Sequence, residues 1–269
     1  MEALVESEEL RVRIFGDDSL PTIVYFPGLH GDWTLVTSFR IALKNRARFV
    51  EITYPRSLTW TIADYADAIE SALRENGITE GWLLGESFGS QITWEVAGRT
   101  KGSLKTLGII LAGGFVKHPW KWGPGALRWI GRHTSMKNYR RELKIYSWYS
   151  RFRHRHAPET LASVDEFAAR RTDLDRQAMH CRLGLLDHYD PRAIARRVAV
   201  PVHYLGGFID PLIPWPFVRR WLRKNCPGYR GGKTFWLADH NVLATSPTKA
   251  ADYIIQCIDR HDAALPSNK

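Results

Sequence analysis

The sequence predicts an α/β fold, an open and mostly parallel doubly wound sheet interrupted late in the chain by an inserted helical segment. Three observations carry this. Short apolar runs alternate along the chain with helix-period patterns. These runs are apolar almost throughout instead of at every second position, which suits strands covered on both faces. The third observation is charge: residues 116–197 hold 18 Lys or Arg against 8 Asp or Glu, while the remainder holds 20 of each. The entire excess behind the net charge of +10 therefore lies in one stretch with abrupt borders, as an insertion into a neutral host would. With 44% hydrophobic residues in 269, the chain can bury a sizeable core.

In chain order, "TIVYFP" (22–27) and "RFVEIT" (48–53) read as the first strands. A helix follows in which Ile62, Tyr65, Ala66, Ile69, Ala72 and Leu73 share one face and Asn76-Gly77 supplies the stop. "GWLLG" (81–85) is the next strand, the apolar run 88–97 the next helix, and "LKTLGIILAG" (104–113) the strand before the insertion. After it come "VPVHYLGG" (200–207), "KTFWLA" (233–238) and a last helix capped by Ser246-Pro247. Residues 1–115 and 191–269 are thus assigned to the core and 116–190 to a basic, aromatic-rich helical lid. A ligand site belongs at the carboxyl ends of the strands.

The acidic start "MEALVESEEL" is unlike a secretion leader, and no uncharged apolar run approaches the length of a membrane span, so a cytoplasmic protein is expected. Cys181, Cys226 and Cys257 have no Cys-x-x-Cys spacing and read as free thiols. His154 and His156 stand among arginines that would repel a cation, so neither a metal nor a cofactor is predicted.

Against this background "WLLGESFGSQITW" (82–94) acquires meaning. Gly-x-Ser-x-Gly alone is a weak signal, yet here it joins a strand directly to a helix, the context in which a sharp turn projects a serine hydroxyl above the sheet. A serine is a poor nucleophile without a base, and the pattern requires an acid and a histidine later in the chain at strand ends. "YLGGFIDPLIP" puts Asp210 just past one strand and "FWLADHNVLATSP" puts His240 just past the last. Two backbone donors for an oxyanion are expected from Phe88, beside the serine, and from Leu29 in "YFPGLHGDW". Glu86 reads as structural and Asp239 as solvated.

With these residues in view the chain resembles the α/β-hydrolase family over about 20–115 and 198–261, through "GESFG", "GGFIDPLIP" and "DHNVL". The resemblance implies Ser87 as nucleophile, Asp210 as acid, His240 as base and the Leu29 and Phe88 amides as oxyanion donors. It departs from the family where the usual His-Gly after the first central strand is Pro27-Gly28. A serine excludes members with an aspartate nucleophile, such as dehalogenases and epoxide hydrolases. The expected function is hydrolysis of an ester or thioester with a hydrophobic acyl group; acyl transfer by the same residues and a non-catalytic binding protein are the alternatives.

The insertion interleaves cations with Trp120, Trp122, Trp129, Tyr139, Tyr146, Trp148, Tyr149 and Phe152. That composition suits a lid resting on an anionic membrane surface or admitting an anionic substrate, and equally an ordinary helical lid with solvated arginines. His30, Trp120 and Trp122 are candidate substrate contacts. No nucleic-acid module appears, so a small acyl substrate is the expected partner.

Overall fold

A computed structural model describes residues 9–99, 102, 104–120, 123, 125, 135–153 and 158–264. Seven strands form one sheet: β1 (Arg11–Phe15), β2 (Thr22–Phe26), β3 (Arg48–Thr53), β4 (Glu80–Glu86), β5 (Lys105–Ala112), β6 (Val202–Gly207) and β7 (Tyr229–Phe235). Their spatial order is β1-β3-β2-β4-β5-β6-β7, with β1 antiparallel to β3 and every other pair parallel.

Alternate residues of each central strand feed two separate cores. Ile23, Tyr25, Trp82, Leu84 and Ile110 face α1 (Thr37–Leu43) and the C-terminal helix Pro247–Ala264. Val24, Phe26, Leu83, Ile109 and Leu111 face α2 (Ile62–Glu75), α3 (Gly89–Gly98) and the helix Trp215–Asn225. Burial on both faces is why these strands lack the period-2 pattern of a half-exposed sheet. Helix α2 begins with a reciprocal cap between Thr61 and Asp64 and ends where Gly77 takes φ +70°.

Two strands differ from the sequence reading. β1 is an additional edge strand; its alternation of Arg11, Val12, Arg13 and Ile14 is that of an exposed edge, and Arg13 pairs with the fully buried Glu51 opposite it (2.5 Å). The last strand runs Tyr229–Phe235, not 233–238, because Gly231 and Gly232 in its middle mask it. Trp236 and Leu237, read as its end, are 71% and 73% exposed.

Between β5 and β6 lie α4 (Met136–Arg153), α5 (Pro158–Ala169) and α6 (Asp173–His188). They share a small core of Tyr139, Leu143 and Phe167, packed on Leu35 of the loop after β2. Ion pairs Arg171–Asp32 and Arg56–Asp175 (2.7 Å) fasten them to the sheet domain. Among the described residues no helix is long and apolar enough to cross a membrane.

The strand order fixes where a site forms. From β2 the chain steps outward to β3, then crosses back to β4 on the other side of β2. The loops leaving β2 and β4 therefore diverge and leave a crevice at their carboxyl ends. Those ends are Phe26 and Glu86, one residue before Ser87.

Candidate active site

Ser87 occupies the two-residue turn from β4 into α3 at φ +49°, a left-handed angle that costs a non-glycine residue about 1–2 kcal/mol. The turn is tight enough that a Cβ on Gly89 would overlap the Phe26 carbonyl and one on Gly85 would overlap Thr93 Oγ1. Neighbouring bonds over-determine the strained angle. The Ser87 amide donates to the Ala112 carbonyl (3.1 Å). Ser90 Oγ accepts from the Phe115 amide (3.1 Å) and donates to the Ser87 carbonyl (2.6 Å). Gln91 Nε2 and Trp94 Nε1 donate to the Phe115 carbonyl (3.0 and 3.2 Å), tying the elbow to the start of the insertion.

Loops after β6 and β7 bring the partners. His240 Nε2 lies 2.8 Å from Ser87 Oγ, and His240 Nδ1 lies 2.8 Å from Asp210 Oδ2. Asp210 Oδ1 accepts the Leu212 and Ile213 amides (2.8 and 2.9 Å), so this carboxylate both closes its own turn and orients the histidine. Its side chain is fully buried and that of His240 is 12% exposed. Burial alone would lower the His240 pKa. The Asp210 hydrogen bond and charge, with Glu86 and Asp239 behind, outweigh it and raise the pKa above its ordinary value.

Gly28 abuts the serine, a Cβ there falling 3.5 Å from Ser87 Cβ, which brings the loop carrying Leu29 over the elbow. The Leu29 and Phe88 amides donate no hydrogen bond to any described residue. Phe88 stands at the N-cap of α3, whose positive end favours a neighbouring anion.

These groups open onto a cavity of about 610 Å³. Its far wall is Leu35, Tyr139, Leu143, Tyr146, Tyr149, Phe167 and Met179, mostly from α4, α5 and α6. His30 lines it too, stacked edge-on against Phe167 at 4.5 Å. Burial, with Arg171 and Arg182 nearby, depresses its pKa to about 3, so it is a neutral wall.

Trp120 is 40% exposed, rests on His118 and does not line the cavity; Trp122 lies outside the described residues, as do His154 and His156. Asp239 is not solvated, contrary to the sequence reading. It is 8% exposed and borders the cavity, because its carboxylate accepts the Asn241 amide (2.9 Å) and is turned inward. Glu86 is braced by the Tyr25 hydroxyl (2.5 Å), and burial raises its pKa. Sequence reasoning missed Ser90, Gln91, Trp94 and Arg182, which hold the loops in place.

No protein-family profile and no curated protein matches the sequence. Solved structures do match it. A thermophilic esterase from Thermogutta terrifontis superposes with a TM-score of 0.74 at 16% identity, over 94% of this chain and 93% of that one. An esterase from Exiguobacterium antarcticum gives 0.74 at 15% identity, over 93% and 95%. The enol-lactonase from Burkholderia xenovorans gives 0.69 at 20% identity, over 94% and 96%. Sheet order, elbow and whole-chain superposition agree, and the chain has the α/β-hydrolase fold.

Proposed function

We propose that this protein is a serine hydrolase that cleaves a carboxylic ester or thioester, with a hydrophobic acyl group, through an acyl-enzyme on Ser87. The observation that carries the reading is the unbroken chain Ser87 Oγ, His240 and Asp210, linked at 2.8 Å and 2.8 Å and opening on a largely apolar cavity.

His240 Nε2 takes the Ser87 proton as Oγ attacks the acyl carbonyl, and Asp210 stabilises the imidazolium and holds its tautomer. The Leu29 and Phe88 amides receive the oxyanion, each contributing about 3 kcal/mol to the barrier reduction. Collapse expels the alcohol or thiol, which leaves with the proton from His240. Water then gives a proton to His240 as its oxygen attacks the acyl carbon, and the acyl–Oγ bond breaks as His240 returns that proton to Ser87 Oγ, releasing the acid. The inserted helices act as a lid that keeps the acyl chain out of water.

The charges bordering the cavity bear on the substrate. Among the described residues Asp32, Glu86, Glu142 and Asp239 line it and no Lys or Arg does, so the described part of the basic segment gives the cavity no anion-binding wall. A carboxylate-bearing acyl group is disfavoured there, and an apolar, uncharged one fits the aromatic wall.

The test is turnover of p-nitrophenyl esters from acetate to palmitate, with fluorophosphonate labelling of wild type and Ser87→Ala. Labelling confined to the wild type and a medium- or long-chain optimum support the reading. A folded wild type that neither labels nor hydrolyses any ester refutes it.

A further inference from the structure

The buried stripe of α6, comprising Asp175, Ala178, Arg182 and Leu186, carries a guanidinium where helix packing normally puts an apolar side chain. Arg182 is 2% exposed. Among the described residues all its hydrogen-bond acceptors are neutral: Nη1 donates to the Leu29 carbonyl (2.8 Å), Nη2 to the Pro55 carbonyl (2.7 Å) and Nε to the Tyr65 hydroxyl (3.2 Å). No carboxylate forms an ion pair with it among the described residues. Burying a cation without a counter-ion is costly, and an apolar residue of similar volume is often better for stability alone. What Arg182 gains in return is geometric.

The loop it grips is the one after β2. The Gly31 amide donates to the Gly28 carbonyl (3.0 Å), closing a turn around Leu29, and the Gly31 carbonyl accepts the Tyr54 amide (2.8 Å). Gly31 holds φ +80°, and a Cβ there would fall 2.6 Å from Arg182 Nη1, so the guanidinium lies flat against the turn. One end of this turn abuts Ser87 through Gly28. The position of the Leu29 amide therefore depends on a side chain delivered by the insertion.

We propose that Arg182 is the positioning residue of the oxyanion loop, and that α6 is consequently a fixed part of the active site while α4 and α5 form its roof. The proposal rests on the hydrolase reading for its kinetic consequence, but not for its structural one. Arg182 touches no reacting atom; it acts through Leu29.

The test compares wild type, Arg182→Lys, which keeps the charge but not the three-way fork, and Arg182→Met. Hydrogen exchange of residues 27–33 is read against the helix Pro247–Ala264 as internal control, and kcat, KM and trifluoromethyl ketone inhibition are normalised to fluorophosphonate-titrated sites. The expected result is faster exchange in 27–33 with the helix Pro247–Ala264 unchanged, kcat down about 10²-fold with KM within about threefold, and the inhibition constant weakened in proportion to kcat/KM. The acid limb of the pH profile stays in place, since His240 is untouched. If the methionine variant does not fold, the lysine variant carries the test. Unchanged exchange at 27–33, or wild-type kcat per titrated site despite loosened exchange, overturns the proposal. Loosened exchange in a protein whose wild type is catalytically idle leaves the positioning intact and removes the hydrolase reading instead.

Discussion

The floor and the roof of the cavity are held by different forces. On the floor, Asp210 accepts the Leu212 and Ile213 amides and the His240 ring, and the ring meets Ser87, so each polar group has one permitted direction. The roof offers Leu143, Tyr146 and Phe167, and among the described residues α4 is joined to the loop after β7 by the bonds of Tyr146 with Asn241 (2.8 Å) and of Arg153 Nη2 to the Leu237 carbonyl (2.5 Å). Directional bonds fix positions to fractions of an ångström, whereas apolar contact tolerates repacking. On the proposed serine-hydrolase function the floor sets the chemistry and the roof sets which acyl groups are accepted. Changes on the floor will abolish turnover without altering substrate preference, and changes on the roof will do the reverse.

The largest expected effects lie on the floor. Asp210→Asn keeps the shape but presents the wrong hydrogen-bonding group to His240 Nδ1, so kcat should fall about 10³–10⁴-fold with an unchanged chain-length optimum. A steady-state ester series checks both halves of that statement. On the roof, Phe167 is 2% exposed, and Phe167→Ala should cost about 3 kcal/mol in denaturant unfolding. The same variant should move the optimum toward longer or bulkier acyl chains while kcat on a short ester stays within about threefold.

Tyr146→Phe tests the join between the two regions. Loss of its bond to Asn241 should cost about 1 kcal/mol of stability and leave kcat nearly unchanged.

The smallest effect is a shift in pH. A protonated His240 cannot accept the serine proton, and its pKa is raised, so kcat/KM should climb with pH through a limb above the ordinary histidine range. By linkage, the His240 contribution to stability is fully present below the unfolded histidine pKa and is lost as pH rises through the raised folded value. Because the Glu86 charge is among the raising influences, Glu86→Gln should move the acid limb to lower pH. His30, depressed to about 3, should add no second limb.

The same contrast governs what the sequence discloses. Ser87, Asp210 and His240 are legible because their order and their places at strand ends are dictated by the sheet, and the structure brings the three together. The parallel strands are legible because burial on both faces leaves continuous apolar runs. β1 escapes because an edge strand alternates and its Arg13 resembles a solvated charge until Glu51 stands opposite. Asp239 was misread because adjacency to His240 says nothing about which way a loop turns it. Arg182 sits in a segment so rich in basic residues that one more cation draws no notice. Its register with Ala178 and Leu186 was the available signal, since it sets the guanidinium on the buried face of α6. The roof as a whole is less legible because side-chain packing between helices depends on crossing geometry that spacing does not encode.

The proposed mechanism passes through a covalent acyl intermediate on Ser87. The most direct measurement is intact-protein mass spectrometry after rapid acid quench of wild type and Ser87→Ala mixed with a medium-chain p-nitrophenyl ester. A transient mass increase of one acyl group is expected on the wild type, mapped by digestion to the peptide containing Ser87, and none on the variant. An adduct that persists in Ser87→Ala, or full turnover by that variant, would contradict it.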